Sequence, residues 1–132
     1  MQTFGRSRER VLCADDEDTI AGWLAETLNE QGFEVETAVD GHHALYRLAT
    51  EEPGFSLLIT DARMPRMDGW GLIHSARAQG FNGPIIVFSG SIDDYERARY
   101  AKLSVDAFLP KPSTPAELLQ TIRQTWRQRS RR

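Results

Sequence analysis

Three carboxylates, a lysine and a serine stand where this chain could do chemistry: Asp15-Asp16, Asp61, Ser89 and Lys111. Each follows a short apolar run. Leu57-Leu58-Ile59-Thr60 is unalternated, as in a strand buried on both faces of a parallel sheet. Asp61 therefore falls at that strand's carboxyl end, the edge where open α/β sheets bind ligands. Asp15-Asp16 closes the first such run, Ser89 the fourth, and Lys111 follows the fifth. If strands one and three lie side by side, three carboxylates converge, and two unit charges about 4 Å apart repel by roughly 4 kcal/mol at an effective dielectric near 20. A cation must balance them. An oxygen-only set of two or three carboxylates suits Mg²⁺, which keeps several waters and is usually completed by phosphate oxygens. Lys111 adds a fixed positive charge and Ser89 a hydroxyl. Each residue also has a plainer role open to it: Asp61 as a turn residue ending a strand, Ser89 as a helix cap, Phe108 as core, Lys111 as a solvated charge.

Other chemistries lack their residues. Cys13 is the only cysteine and sits in an apolar run, which predicts a half-buried strand residue rather than a nucleophile. Three scattered histidines make no zinc pattern with it. The formal charge of −3 hides an uneven distribution: Arg6, Arg8 and Arg10 open the chain and Arg123, Arg127, Arg129, Arg131 and Arg132 close it. Between Val11 and Ile122 there are 18 acidic residues against 8 basic ones, which argues against nucleic acid as a partner. No apolar run approaches the roughly 20 residues of a membrane span, and the polar start has no apolar signal-peptide region, so a cytoplasmic location is expected. At 132 residues the chain reads as one domain able to bury roughly two-thirds of its unfolded surface. We divide it into a basic extension over 1–9, a domain over 10–127 and a basic tail over 128–132.

The elements that must position these residues alternate. Residues 10–14 read as the first strand. The acidic turn Asp15-Asp16-Glu17-Asp18 suits the positive end of a helix in which Ile20, Trp23, Leu24 and Leu28 recur, and Gly32 stops it. Residues 33–38 alternate apolar and acidic, as an edge strand would. Asp40 caps a second helix with Ala44, Leu45, Leu48 and Ala49 as its buried stripe. After the Leu57 strand, Met67-Asp68-Gly69 turns into a third helix packed through Leu72, Ile73 and Ala76. Residues 85–88 form the fourth strand. A polar fourth helix over 93–103 leaves Tyr95, Ala98, Ala101 and Leu103 to pack, and residues 105–109 form the fifth strand. Ser113 or Thr114 caps the last helix, with Pro115 in its first turn and Leu118, Leu119, Ile122 and Trp126 facing inward. Five such units with right-handed crossovers predict a doubly wound, three-layer α/β/α sandwich with parallel strand order 2-1-3-4-5, a flavodoxin-like arrangement whose switch point lies between strands one and three.

The pair Asp15-Asp16, the run Asp61-Ala62-Arg63-Met64-Pro65-Arg66-Met67-Asp68-Gly69, the hydroxyl at Ser89, the aromatic at Phe108 and Lys111-Pro112 together resemble the CheY-like receiver domain of two-component response regulators. The resemblance covers nearly the whole chain. It implies a phosphorelay protein whose Asp61 takes a phosphoryl group from a sensor histidine kinase or phosphotransfer protein. Mg²⁺ would be held by Asp16, Asp61 and the backbone carbonyl of Arg63, with Asp15 acting mainly through water. It implies Lys111 and Ser89 as phosphoryl partners, and Ser89 with Phe108 as the switch. The readout face would be helix four, strand five and helix five, toward a downstream protein or output domain, with a homodimer left open. Such a protein is not a turnover enzyme. A docking-only degenerate receiver and a metal-dependent phosphohydrolase on the same fold are the alternatives. Arg63, with Ser91 across the crevice, is expected to overhang the phosphoryl group and set its lifetime. Four positions depart from the commoner family pattern: Cys13 and Ala14 before the acids, Gly90 after Ser89, and Phe108 in place of tyrosine.

Overall fold

The computed structural model describes residues 9–131, so all but the last residue of the expected N-terminal extension lies outside the described residues. Strands β1 (Arg10–Ala14), β2 (Glu34–Ala38), β3 (Leu57–Thr60), β4 (Ile85–Ser89) and β5 (Ala107–Pro110) alternate with helices α1 (Asp18–Asn29), α2 (Gly41–Thr50), α3 (Gly69–Ala78), α4 (Asp94–Ala101) and α5 (Pro115–Ser130). All strand pairs are parallel, in the order β2-β1-β3-β4-β5. This is the doubly wound arrangement the apolar runs predict.

Strand alternation divides the core in two. Val11, Cys13, Leu57, Ile59, Ile86 and Phe88 point to one face, where Leu24 and Leu28 of α1 and Leu118 and Ile122 of α5 cover them. Leu12, Ala14, Leu58, Ile85 and Val87 point to the other, under Ala44 of α2, Leu72 and Ile73 of α3 and Tyr100 of α4. Cys13 is fully buried rather than half-buried, because β1 is a central strand covered on both faces. Burial pushes its thiol up, out of reach of reactive chemistry.

Register places the site. Ala14 pairs with Thr60, so the next residues of β1 and β3, Asp15 and Asp61, leave the sheet side by side. Ser89 pairs with Pro110, which brings Lys111 beside it, with the Lys111 N–H donating to the Ser89 carbonyl at 3.1 Å.

Several elements differ from expectation. Tyr95, Ala98 and Ala101 of α4 are exposed, Tyr95 at 74%. The inward stripe is Ile92, Glu96, Tyr100 and Leu103, with Tyr100 packed edge-on against Phe108 at 6.1 Å. A glutamate in that stripe hides it from a hydrophobic reading. β5 begins at Ala107 rather than 105, since Asp106 bonds Ile85 through both its backbone N–H and its side chain and stands where a ladder pair would. In α2, Ala49 is exposed. α5 continues to Ser130, and Arg129 inside it donates to Asp106 at 2.8 Å.

Candidate phosphoryl and metal site

Lys111 is the centre of the crevice. Its ammonium lies 2.7 Å from Asp15 Oδ2 and 3.2 Å from Asp61 Oδ2, and the lysine side chain is largely enclosed. The other oxygen of each carboxylate is taken by backbone: Asp15 Oδ1 accepts the Glu17 N–H at 2.9 Å, and Asp61 Oδ1 accepts the Ala62 N–H at 2.7 Å. Asp15 is 2% exposed and Asp61 7%, whereas Asp16 faces solvent. Burial raises the Asp15 carboxyl above its ordinary value despite the opposing bond from Lys111. On Lys111, burial works downward, but Asp15 and Asp61 outweigh it, so the ammonium sits above its ordinary value and stays charged at neutral pH.

One oxygen from each of Asp15, Asp16 and Asp61 falls within 4.8 Å of the others. The donors are all hard oxygens, and Asp16 opens onto a crevice of about 340 Å³ that Asp61, Arg63, Ser89, Ser91 and Lys111 also line. That donor set fits a small divalent cation such as Mg²⁺, with space left for waters and phosphoryl oxygens.

Ser89 is nearly buried and lines a second cavity of about 180 Å³, which Phe108 also lines. Phe108 is half-buried, with the Arg97 guanidinium 4.5 Å from its ring centroid. The five chemistry-bearing residues therefore converge, and Phe108 stands one cavity away. Arg63 lines the crevice at its α4 side. It turns toward α4, where its two terminal nitrogens each meet a Glu96 carboxylate oxygen at 3.0 Å, and one donates to the Ser91 carbonyl at 3.1 Å.

Gly69, Arg66 and Gly41 hold the loop after β3 in shape. Gly69 donates to the Ala62 carbonyl at 2.9 Å, and a Cβ there would crowd the Asp61 carbonyl oxygen and lie 2.9 Å from Ala62 Cα. Arg66 adopts φ of 68° and donates through Nε and Nη2 to Asp40 Oδ2 at 2.8 and 2.6 Å. The Gly41 N–H bonds the Met67 carbonyl at 3.2 Å. The Met67-Asp68-Gly69 turn signal was visible in the sequence; the reach of this loop to the start of α2 had no periodic signal to find it by.

Residues 11–123 match the family model for the response regulator receiver domain. A probable transcriptional regulator, ycf27, of Galdieria sulphuraria is 36% identical over 89% of this chain and 45% of that protein. The alkaline phosphatase synthesis transcriptional regulatory protein PhoP of Bacillus subtilis is 30% identical over 83% of this chain and 45% of its own length. The chain thus spans about half of the curated relatives it matches. The chemotaxis protein CheY4 of Vibrio cholerae superposes with a TM-score of 0.83 at 29% identity, covering 90% of this chain and 99% of that structure. With the strand order and the carboxylate crevice already in place, these matches show that the chain belongs to the response regulator receiver domain family.

Proposed function

We propose that Asp61 accepts a phosphoryl group from a phosphohistidine on a sensor kinase or phosphotransfer protein. An Asp61 carboxylate oxygen attacks phosphorus, the bond from phosphorus to the histidine nitrogen breaks, and the imidazole leaves as an acyl phosphate forms. The observation that carries this reading is the placement of Lys111, whose ammonium reaches Asp61 and Asp15 together. A carboxylate is a poor nucleophile toward an anionic phosphoryl group, so catalysis here is positioning and charge neutralisation. Lys111 supplies a fixed cation at the acceptor oxygen. Asp16, Asp61 and the Arg63 carbonyl, with Asp15 through water, would hold Mg²⁺, which when bound offsets negative charge on the phosphoryl oxygens. Ser89 donates to a phosphoryl oxygen, which draws the loop after β4 toward Asp61.

That movement opens the Ser89 cavity to Phe108, and the face of α4, β5 and α5 carries the change to a partner protein, an output domain or a second copy of the chain. No described helix is long and apolar enough to cross a membrane, and we place the protein in the cytoplasm with its kinase partner. The protein turns over only through slow loss of its own phosphoryl group. Mg²⁺-dependent labelling by acetyl phosphate, absent in Asp61→Asn, is the expected result. No labelling of the wild type would point to a docking module, and fast turnover of varied phosphomonoesters to a hydrolase.

A further inference from the structure

Glu96 occupies an inward position of α4 between Ile92 and Tyr100, and its carboxylate takes both terminal nitrogens of Arg63 in a two-point pair. The same guanidinium holds the Ser91 carbonyl. Three bonds thus join the residue two beyond Asp61 to the loop after β4 and to the first turn of α4. The helix start does not depend on them, because Asp93 caps α4 by accepting the Glu96 N–H at 2.8 Å. What the Glu96 side chain does is hold Arg63.

A guanidinium fork fits a carboxylate and a phosphoryl group equally well in shape, and either acceptor can satisfy it. The Arg63 side chain is 60% exposed, and an exposed ion pair is weak enough to exchange. Resting on the reading of Asp61 as phosphoryl acceptor, we infer that Glu96 is a positioning residue that competes with the acyl phosphate for Arg63. Before phosphorylation the pair fastens α4 to the acceptor loop. Afterwards Arg63 divides its time between Glu96 and the phosphoryl oxygens. Loss of the group needs a water oxygen to attack phosphorus opposite Asp61. The phosphorus–oxygen bond to Asp61 then breaks, the carboxylate re-forms, and inorganic phosphate leaves with the water's protons. Arg63 over the phosphoryl group excludes that water; Arg63 on Glu96 admits it. Glu96 therefore shortens the phosphorylated state, and phosphorylation loosens α4.

The test uses the full chain labelled by acetyl phosphate in Mg²⁺, with loss of label followed after the donor is removed. Glu96→Gln is expected to slow the loss about threefold, the scale of an exposed pair. Glu96→Asp should restore the wild-type rate, and Glu96→Gln should have no effect in an Arg63→Gln background. An unchanged rate, or equal slowing without Arg63, overturns the inference. A second readout needs no phosphate: amide exchange of residues 91–96 in the unmodified protein. Glu96→Gln and Arg63→Gln should raise it alike, and the double variant no further; additive effects overturn the pairing. If wild-type Asp61 takes no label, the functional reading fails on its own, and the exchange experiment still decides whether Glu96 holds Arg63.

Discussion

Asp40 divides its carboxylate between two elements: Oδ1 accepts the His43 N–H at 2.8 Å and starts α2, while Oδ2 takes Arg66 from the loop that follows Asp61. The loop after β3 is thus fastened at its far end to the second helix, and at its near end by the Gly69–Ala62 bond. Arg66 needs such fastening, since a left-handed φ costs a non-glycine residue roughly 1–2 kcal/mol.

The His43 N–H, and after it Arg66, hold the Asp40 carboxyl below its ordinary value of 3.8. A depressed carboxyl contributes stability that is present above its unfolded pKa and lost as pH falls through the lower, folded one. Asp40→Ala should cost about 1–2 kcal/mol at neutral pH, the usual loss for a helix cap. Asp40→Asn keeps a capping oxygen and should cost less. Its deficit relative to wild type should close as the pH drops below about 4. Denaturant unfolding of the three proteins from pH 7 to pH 3 checks this; a deficit that stays constant across that range sinks the charged role.

Lys111 changes what the carboxylate cluster should do in metal-free buffer. Repulsion among Asp15, Asp16 and Asp61 alone predicts that removing one charge stabilises the fold, yet Lys111 already offsets two of them. We expect Asp61→Asn to lose phosphoryl uptake with a thermal midpoint at or slightly above that of wild type. Lys111→Met should lower stability by about 3 kcal/mol, because it leaves two enclosed carboxylates without a counter-charge. Adding Mg²⁺ should recover part of that loss. A midpoint of Asp61→Asn clearly below wild type would show that Lys111 gains more from Asp61 than the cluster loses to repulsion.

Strand order and the meeting of Asp15, Asp61 and Ser89 were legible because the central strands are unbroken apolar runs, each ending at or followed by a residue with chemistry, and Lys111 follows the edge strand β5. Register then did the rest. The fourth helix was misread because its inward stripe contains Glu96, a charge that faces another charge and not the core. Gly41 and the Asp40–Arg66 pair went unseen because close approach of a loop to a distant helix start leaves no periodicity in sequence. The contact of Arg63 with Ser91 follows from their places after β3 and β4, whereas its pairing with Glu96, 33 residues away, has no signal in the sequence.

Two glycines make opposite predictions. A Cβ at Gly69 would press on the Asp61 carbonyl and Ala62 Cα, backbone that cannot yield without moving the acceptor. Gly69→Ala should cost about 1–3 kcal/mol and slow phosphoryl uptake. Gly22 lies inside α1 with nothing within 4 Å of its added Cβ, so Gly22→Ala should stabilise by roughly 0.5–1 kcal/mol and leave uptake unchanged. Thermal unfolding and acetyl-phosphate labelling of both variants distinguish crowding at the site from a general intolerance of alanine.

The Ser89–Phe108 cavity sets the last prediction. Phe108 is held half-exposed by Arg97 above its ring and Tyr100 at its edge, and about 180 Å³ separates it from Ser89. Moving Ser89 toward a phosphoryl group enlarges that space on one side, and Phe108 can fill it only by leaving Arg97. Swinging such an element from 1:99 to 99:1 takes about 5.5 kcal/mol, while one hydrogen bond to a charged group supplies roughly 1.5–3 kcal/mol. Ser89→Ala should therefore weaken the switch about thirtyfold without abolishing it, leaving roughly three molecules in four switched. A beryllofluoride phosphoryl mimic should alter amide exchange in α4 and β5 of wild type, and about three-quarters as much in Ser89→Ala. Phe108→Ala should take up phosphate normally yet lose the change at α4. If Ser89→Ala responds like wild type, the hydroxyl is not the link; if the changes stay within α1 and α2, the face of α4, β5 and α5 is not where the signal is read.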